Sequence, residues 1–314
     1  MIKIISSSEI YEEFIKNLID RTILEERKIP FKNKEIYVKG RYIDSVYIAL
    51  LDEKPVGFFS ISINNFHPSS LYFNMIVDKE YRRNKIGTNM YKYIKSLSSG
   101  FSYLQSSFCE TSLTSSYFLE SLGFKLYRST HEPQIDISKI EIDKQRMRDY
   151  IDKHDLEVLA LSDIKSDNEL KEVFELAKDS YTQSHLDNPV KEADIGVWGD
   201  IIKEDFIAQG SFILKKEKKV IAFALMHEND ELGMDLGWRG VAEKYDSIRH
   251  ESIEILTNLQ IEYTKESKKR ILYLEIDSTD KWSLEMMNFL KLKKTNRWLS
   301  YQRKTENGMR FLLI

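Results

Sequence analysis

The stretch best equipped for chemistry is Val77–Thr88, VDKEYRRNKIGT, which sets Arg82, Arg83 and Lys85 just ahead of Gly87 and Thr88. An apolar run, Leu71–Val77, leads into it, and a helical pattern begins at about Ile86. The first N–H groups of a helix have no intrahelical acceptor, and the helix dipole adds positive potential there. A strand that turns through three cations into such a start is suited to holding phosphate oxygens. Gly87 would admit phosphate close to the backbone, and the Thr88 hydroxyl offers one more hydrogen bond. The same segment also reads as a solvated turn with a basic cluster, so the elements around it decide between the two.

Those elements alternate. A short apolar run, Ile2–Ile5, leads into a helical stretch over Ile10–Leu24, where Ile10, Phe14, Leu18, Ile19 and Ile23 recur at helical spacing. Two β-rich runs, Val46–Leu51 and Val56–Ile63, flank Asp52-Glu53-Lys54-Pro55 and predict a hairpin. Beyond the basic segment and its helix, Ile86–Leu97, come a strand over Phe101–Cys109, a short helix ending at Gly123 and a strand from Phe124. The second half repeats the order. It has a strand at Leu156–Leu161, a helix at Glu169–Ser180, and a hairpin of Ser211–Lys216 with Val220–Met226. A strand at Gly233–Val241, a helix at Ser247–Lys265, a strand at Arg270–Ile276, a short helix at Trp282–Leu290 and a strand at Trp298–Arg303 follow. Repetition of this kind predicts an internal duplication. The charged segment Glu141–Asp155 is the natural linker and places the boundary near residue 150, giving domains over 1–150 and 151–314.

Composition excludes several classes. With 314 residues, two domains is the expectation, and 42% hydrophobic against 31% charged residues supplies cores and excludes a disordered chain. A net charge of −3 gives no support to nucleic-acid binding. The single cysteine, Cys109, excludes an internal disulfide framework and a cysteine-rich metal site, and no metal is expected. The apolar start at Met1–Ile10 is too short for a signal peptide, and no long apolar run suggests a membrane span, so a cytoplasmic location is expected. Residues 1–150 hold 22 Lys and Arg against 19 Asp and Glu, while the remainder holds 25 against 31. That contrast favours the first half as the seat of an anionic ligand.

In this context Val77–Thr88 resembles the coenzyme A loop of the GNAT N-acetyltransferase superfamily, Arg/Gln-x-x-Gly-x-Gly/Ala. Arg82 matches the first position, Gly87 the last, and Lys85 stands where the middle glycine is usual. Val77-Asp78-Lys79-Glu80-Tyr81-Arg82 is similar to the family's Val-x-Pro-Glu-Tyr-Arg, with Lys79 for proline, and Phe118–Phe124 resembles its Tyr-x-x-Leu-Gly-Phe helix ending. The resemblance covers about residues 1–140. The second half resembles a decayed GNAT domain: Val241, Glu243 and Tyr245 match the lead-in, but Asp246 sits near where arginine would meet phosphate. The tandem arrangement is similar to that of mycothiol synthase-like double-GNAT proteins.

The resemblance implies an α/β fold (α+β mixed sheet) of two tandem GNAT-like domains. Each would have a central, mostly antiparallel sheet flanked by helices, with strands four and five splayed around acyl-CoA. It implies that Met75, Ile76 and Val77, with Asn74, face the pantetheine of acetyl-CoA. It likewise implies that Arg82, Arg83, Asn84, Lys85, Ile86, Gly87 and Thr88 hold the pyrophosphate, and that an N–H near Ile76 stabilises the tetrahedral oxyanion. The acceptor would be a primary amine of a small molecule or peptide attacking the thioester directly. An alkylammonium of pKa about 10 must first lose a proton, and Glu110, at the end of the fifth strand, is the candidate base. It also reads as a solvent-facing strand-end carboxylate, and His67 and His131 are loop alternatives. The family commonly places an acidic tyrosine where this chain has Leu119, so Tyr117 and Tyr72 are the candidate acids. Cys109 reads as a small buried apolar residue before it reads as a nucleophile. The loop at about Ile29–Asp44 and a second-half loop, Tyr181–Trp198, are expected to shape the acceptor site. The competing expectation is a catalytically impaired GNAT scaffold acting as a CoA-ligand sensor or partner-binding protein, for which Leu119, Lys85 and the decayed second half argue.

Overall fold

Asp52 and Glu53 both adopt left-handed backbone conformations, with φ of 47° and 66°, and Glu217 and Lys218 do the same at 51° and 64°. Two consecutive left-handed residues make the tight hairpin turn whose twist matches that of the flanking strands. Leu51 accordingly pairs with Lys54, and Lys216 with Lys219. Lys54 and Pro55 therefore belong to a strand rather than to the turn, and the same turn recurs in both halves of the chain.

The computed structural model describes residues 1–27, 45–204, 206–293 and 295–306; the expected acceptor loop at 29–44 lies outside them. The chain forms two units, one of Met1–Arg128, Asp187–Lys191 and Trp298–Ile314, the other of Ser129–Leu186 and Glu192–Arg297. The sequence places a single cut near residue 150. In the structure the first unit takes up two later segments instead.

In chain order the elements of the first unit are β1 (Ile2–Ser6), α1 (Glu12–Arg27), β2 (Ser45–Leu51), β3 (Lys54–Ile63), β4 (Ser70–Val77), α2 (Ile86–Leu97), β5 (Tyr103–Cys109), α3 (Leu113–Ser121) and β6 (Lys125–His131), which ends in the second unit. The second unit continues with β7 (Gln134–Asp136), α4 (Lys144–Lys153), β8 (Glu157–Ala160), α5 (Asp167–Ser184), α6 (Ile195–Lys203), β9 (Phe212–Lys216), β10 (Lys219–Glu228), β11 (Gly233–Val241), α7 (Arg249–Glu266), β12 (Ile271–Leu274), β13 (Ile276–Asp277) and α8 (Lys281–Phe289). The last strand, β14 (Arg297–Lys304), returns to the first unit. There it runs antiparallel along β5 from Trp298↔Cys109 to Lys304↔Tyr103. The periodicity identifies this strand, but its partner is in the first unit, not among the second-half strands that precede it. The expected long loop at Tyr181–Trp198 is shorter too, because α5 runs through Ser184 and α6 begins at Ile195.

In the first sheet β1-β2-β3-β4-β5-β14 lie side by side in that order, antiparallel except for the parallel pair β4 and β5, and β6 follows β14. Alternation along its strands assigns neighbouring residues to opposite faces. Ile48, Phe58 and Ile76 pack with Ile15, Leu18 and Ile19 of α1. Ala49, Phe59 and Phe73 pack with Ile86, Met90 and Ile94 of α2 and Leu119 of α3. Of the expected stripe Leu18 and Ile19 are buried and Phe14 packs against them, Ile15 joins them, and Ile10 stands 79% exposed ahead of the helix. In the second unit β8 to β12 form a sheet with β7 at its edge. Its strand β10 is buried on both sides, Phe223 and Leu225 under α5 and α6, Ala222 and Ala224 under α7.

Candidate active site

Strands β4 and β5 pair at Ser70↔Tyr103, Leu71↔Leu104 and Tyr72↔Gln105, and their recorded pairing stops there. Beyond this root β4 stays bonded to β3 and β5 to β14, so the two are drawn apart. Between them lies a cleft of about 710 Å³, walled by Phe73–Val77 of β4, Ser106–Cys109 of β5, the start of α2 and the cleft-facing side of α3. A volume of this order takes a sizeable organic ligand.

The open end of the cleft is the basic turn. The Asp78 carboxylate caps a short 3-10 turn at Lys79–Tyr81 by accepting from the Glu80 N–H, and it also accepts from Arg21 of α1 at 3.0 Å. Arg82 Nε donates to the Val77 carbonyl at 3.2 Å, folding the chain back over the strand end. Arg83 and Lys85 then take left-handed conformations, φ 67° and 60°, and Lys85 is the residue from which α2 starts. A left-handed non-glycine residue costs about 1–2 kcal/mol, so glycine would adopt this conformation more readily than Lys85 does. The first bond of α2 runs from the Asn89 N–H to the Lys85 carbonyl at 3.0 Å. The amides of Ile86, Gly87 and Thr88 come before that bond, and all three residues line the cleft. The first turn of α2 carries no acidic residue. Gly87 owes its place to packing as well: a Cβ there would stand 3.3 Å from the Phe118 ring, so α3 crosses α2 at its first turn.

The sequence-nominated residues are distributed unevenly. Met75, Ile76, Val77, Arg82, Arg83, Lys85, Ile86, Gly87 and Thr88 all line the cleft, and Asn84 sits in the turn with its side-chain amide donating to the Tyr81 carbonyl at 3.2 Å. Of the three residues nominated for proton transfer, Tyr117 lines the cleft and is 69% exposed. Glu110 is half-buried in the turn after β5, outside the lining. Tyr72 is at the root, also outside the lining, and burial raises its pKa. Leu119, 3% exposed, forms part of the wall. Cys109 is buried as expected, though it too meets the cleft. Ser112 and Ser115, also in the wall, hydrogen-bond each other at 2.7 Å.

The root holds what sequence reasoning missed. Asn188, 3% exposed, reaches the first unit within the short segment Asp187–Lys191. Its Oδ1 accepts from Gln105 Nε2 at 2.9 Å and Ser70 Oγ at 3.2 Å, while its Nδ2 donates to the Tyr72 hydroxyl at 2.9 Å. Its backbone carbonyl accepts from His67 Nδ1 at 2.7 Å. Tyr127 closes the group by donating to Gln105 Oε1 at 2.7 Å. His67 is therefore a buried structural histidine, its pKa lowered by burial. Nothing local to Asn188 signals this, since its partners lie far away in sequence.

In the second unit β11 and β12 also run parallel, from Gly233↔Ile271 to Leu236↔Leu274. The counterpart of the basic turn is different in kind. Asp246 accepts from Arg249 at 2.8 Å and from Lys281 of α8 at 2.8 Å, and Glu285 of α8 accepts from His250 at 2.7 Å. Side chains of the chain itself thus neutralise the cations at the start of α7. Arg239 is buried, its pKa pulled by desolvation down to about 10, and it donates to Thr257 at 3.1 Å.

Comparison with known proteins agrees with this geometry. The family model described as Acetyltransferase (GNAT) domain matches residues 43–126. No curated protein matches the sequence. Among solved structures, a GCN5-related N-acetyltransferase from Sphaerobacter thermophilus superposes with a TM-score of 0.66 at 10% identity, covering 97% of this chain and 96% of that one. A tandem GNAT protein from the clavulanic acid biosynthesis pathway gives 0.54 at 10% identity, covering 97% and 99%. A GCN5-related glucosamine N-acetyltransferase region of a fungal multi-domain β-N-acetylglucosaminidase gives 0.64 at 13%, covering 96% of this chain and 38% of that one. At these identities the likeness is one of fold. The chain therefore carries a GNAT acetyltransferase domain in its first unit, and its fold is that of the tandem GNAT proteins.

Proposed function

We propose that this protein is an N-acetyltransferase that moves an acetyl group from acetyl-CoA to a primary amine of a small molecule or peptide, with the first unit as the working domain and the second as support. The observation that carries the proposal is the cleft between splayed β4 and β5, which ends on the amides of Ile86–Thr88 beside Arg82, Arg83 and Lys85. These groups would take the diphosphate, Arg82 mainly by holding the turn and Arg83 and Lys85 by charge. The β4 edge over Met75–Val77 would pair with the pantetheine arm, and an amide near Ile76 would donate to the oxyanion. Such fixed donors contribute several kcal/mol in a dry site. The amine nitrogen forms the new C–N bond, the C–S bond breaks, and CoA leaves as thiolate. A thiol of pKa about 8.5 makes that departure tolerable without an acid, which suits a wall carrying Leu119. Glu110 is the proposed base, acting at the strand end through water, and Tyr72 and Tyr117 are the proposed proton donors.

Titrating acetyl-CoA into the protein by calorimetry, then following thiol release with a panel of amines, tests this. Saturable binding with amine-dependent thiol release is expected. Absence of binding would remove the proposal. Binding without release across a broad panel would favour the second reading, a CoA-ligand sensor, which the burial of Leu119 in the wall supports.

A further inference from the structure

Just above its bonded root, the cleft is lined by one amide side chain that the protein leaves unengaged. Asn188 satisfies Ser70, Tyr72 and Gln105 at the root, and the Ser107 hydroxyl of β5 is paired with that of Ser300 at 2.8 Å. Asn74, two residues beyond Tyr72, is half-buried in the cleft lining, and its side chain makes no hydrogen bond among the described residues. Such an amide keeps its donors and its acceptor open to a ligand. Alternation fixes the side of the sheet on which it lies. Phe73, Met75 and Val77 pack with α2 and α3, whereas Ile76 packs with α1, so Asn74 shares the α1 side with Ile76. The cleft reaches both sides, because Thr22 of α1 lines it as well as Phe118 and Leu119 of α3. The groups that would take the diphosphate stand at the start of α2, which leaves the α1 side for the acceptor.

From this we infer that the Asn74 side chain orients the acceptor amine for attack, its Oδ1 accepting one N–H of the neutral nitrogen. The inference rests on the acetyl-CoA reading above and deepens it. In that reading the thioester carbon comes to the level of Ile76, where an amide takes the oxyanion. Two residues of a strand span about 6.6 Å, so a nitrogen attacking there comes within reach of an amide side chain at Asn74. The residue type suits the chemistry. A carboxylate in this place would favour the ammonium, the form that cannot attack, whereas a neutral amide binds an N–H without favouring protonation. Asn74 itself takes no proton. The one that the nitrogen sheds as the C–N bond forms goes through water to Glu110, as proposed above.

The test uses two CoA thioethers that differ only where the acceptor nitrogen would stand. S-(N-methylcarbamoylmethyl)-CoA has an N–H there, and S-(2-oxobutyl)-CoA has a methylene. Calorimetric titration gives the ratio of their affinities, which cancels any loss that a variant inflicts on cofactor binding as a whole. Asn74→Leu, of similar shape without the polar atoms, is expected to lower the ratio in favour of the N–H ligand about five-fold, the worth of one hydrogen bond. Asn74→Asp should keep the wild-type ratio, because a carboxylate accepts the same N–H. Asn74→Ala gives the same comparison if a thermal melt shows that Asn74→Leu is not folded. The same ratio in wild type and in the apolar variant would overturn the assignment, as would a ratio in Asn74→Asp that falls with it. Wild type that binds CoA but neither thioether would overturn it too, since the space beside Asn74 would then be closed to an acceptor. Failure of wild type to bind CoA at all would instead remove the acetyl-CoA reading itself, and this inference with it.

Discussion

Asn188 donates its side-chain amide to the Tyr72 hydroxyl at 2.9 Å across 116 residues of sequence. Tyr72 pairs with Gln105 at the last rung before β4 and β5 part, and Gln105 in turn donates to the Asn188 carbonyl oxygen. One buried amide thus ties both strands together where the cleft begins. Groups in such a network are each other's only substitute for water. Asn188→Ala would leave the Ser70, Tyr72 and Gln105 side chains short of partners, at a cost of about 1–3 kcal/mol. Urea denaturation should show this as a lowered midpoint. A loss below about 0.5 kcal/mol, the range of an inert surface change, would mean that the root does not depend on it.

Lys85 separates two effects that usually travel together. Its left-handed conformation costs about 1–2 kcal/mol, and glycine removes that cost while losing about 0.5–1 kcal/mol to unfolded-chain entropy. Lys85→Gly should therefore raise stability by about 0.5–1 kcal/mol and at the same time weaken CoA binding through the lost charge. Lys85→Ala loses the same charge without the conformational relief. Paired denaturation and CoA titrations would distinguish them: the two variants should match in affinity and differ in stability. Equal stability would mean that the turn carries no strain at this position.

Much of this site is contiguous in sequence, and that part was legible. The strand end, three cations, Gly87 and a helix start follow one another along Val77–Thr88, so local rules suffice to assemble them. The hairpin turns were legible for the same reason, although the exact tightness set by Asp52-Glu53 was not. What periodicity cannot specify is the partner of an element. The pattern of Trp298–Arg303 says strand, yet its neighbour β5 is chosen by a long-range pairing. Asn188 shows the same limit more sharply, because a buried asparagine and a solvated loop asparagine look alike until the chain folds. Ile10 misled for a different reason: it fits the apolar spacing but precedes the helix, and Ile15 occupies the buried stripe instead.

Stability of the protein should fall as pH drops below about 6.5, and His67 should account for part of that slope. Burial is the main cause that lowers its pKa, with the Arg128 charge acting in the same direction. The unfolded chain takes up this proton at about pH 6.5, whereas the folded protein resists it to a lower pH. Between the two, the unfolded state binds more protons, so stability rises with pH there. His67→Gln should lower stability at pH 7, because His67 donates to the Asn188 carbonyl, yet flatten the curve below about pH 6.5. Identical slopes for both proteins, measured as melting temperature against pH, would assign the effect to other groups.

Asp246 allows the roles of the two halves to be tested against each other. The hydrogen bond from Lys281 is the main cause that holds its carboxyl below the ordinary carboxylate value, with Arg249 adding to it. A depressed carboxylate contributes stability that is present above its unfolded pKa, about 3.9, and lost as pH falls through the folded value. Asp246→Asn should therefore lower the melting temperature at pH 7, and the difference from wild type should shrink as pH falls below about 4. It should leave CoA affinity untouched, because this carboxylate already occupies the cations a phosphate would need. Arg82→Glu with Lys85→Glu should abolish measurable CoA affinity, because it reverses two charges at the turn and removes the bond from Arg82 to the Val77 carbonyl. If Asp246→Asn weakened CoA binding as much as the double reversal does, the second unit would have to share the cofactor, and the first could no longer be the working half alone.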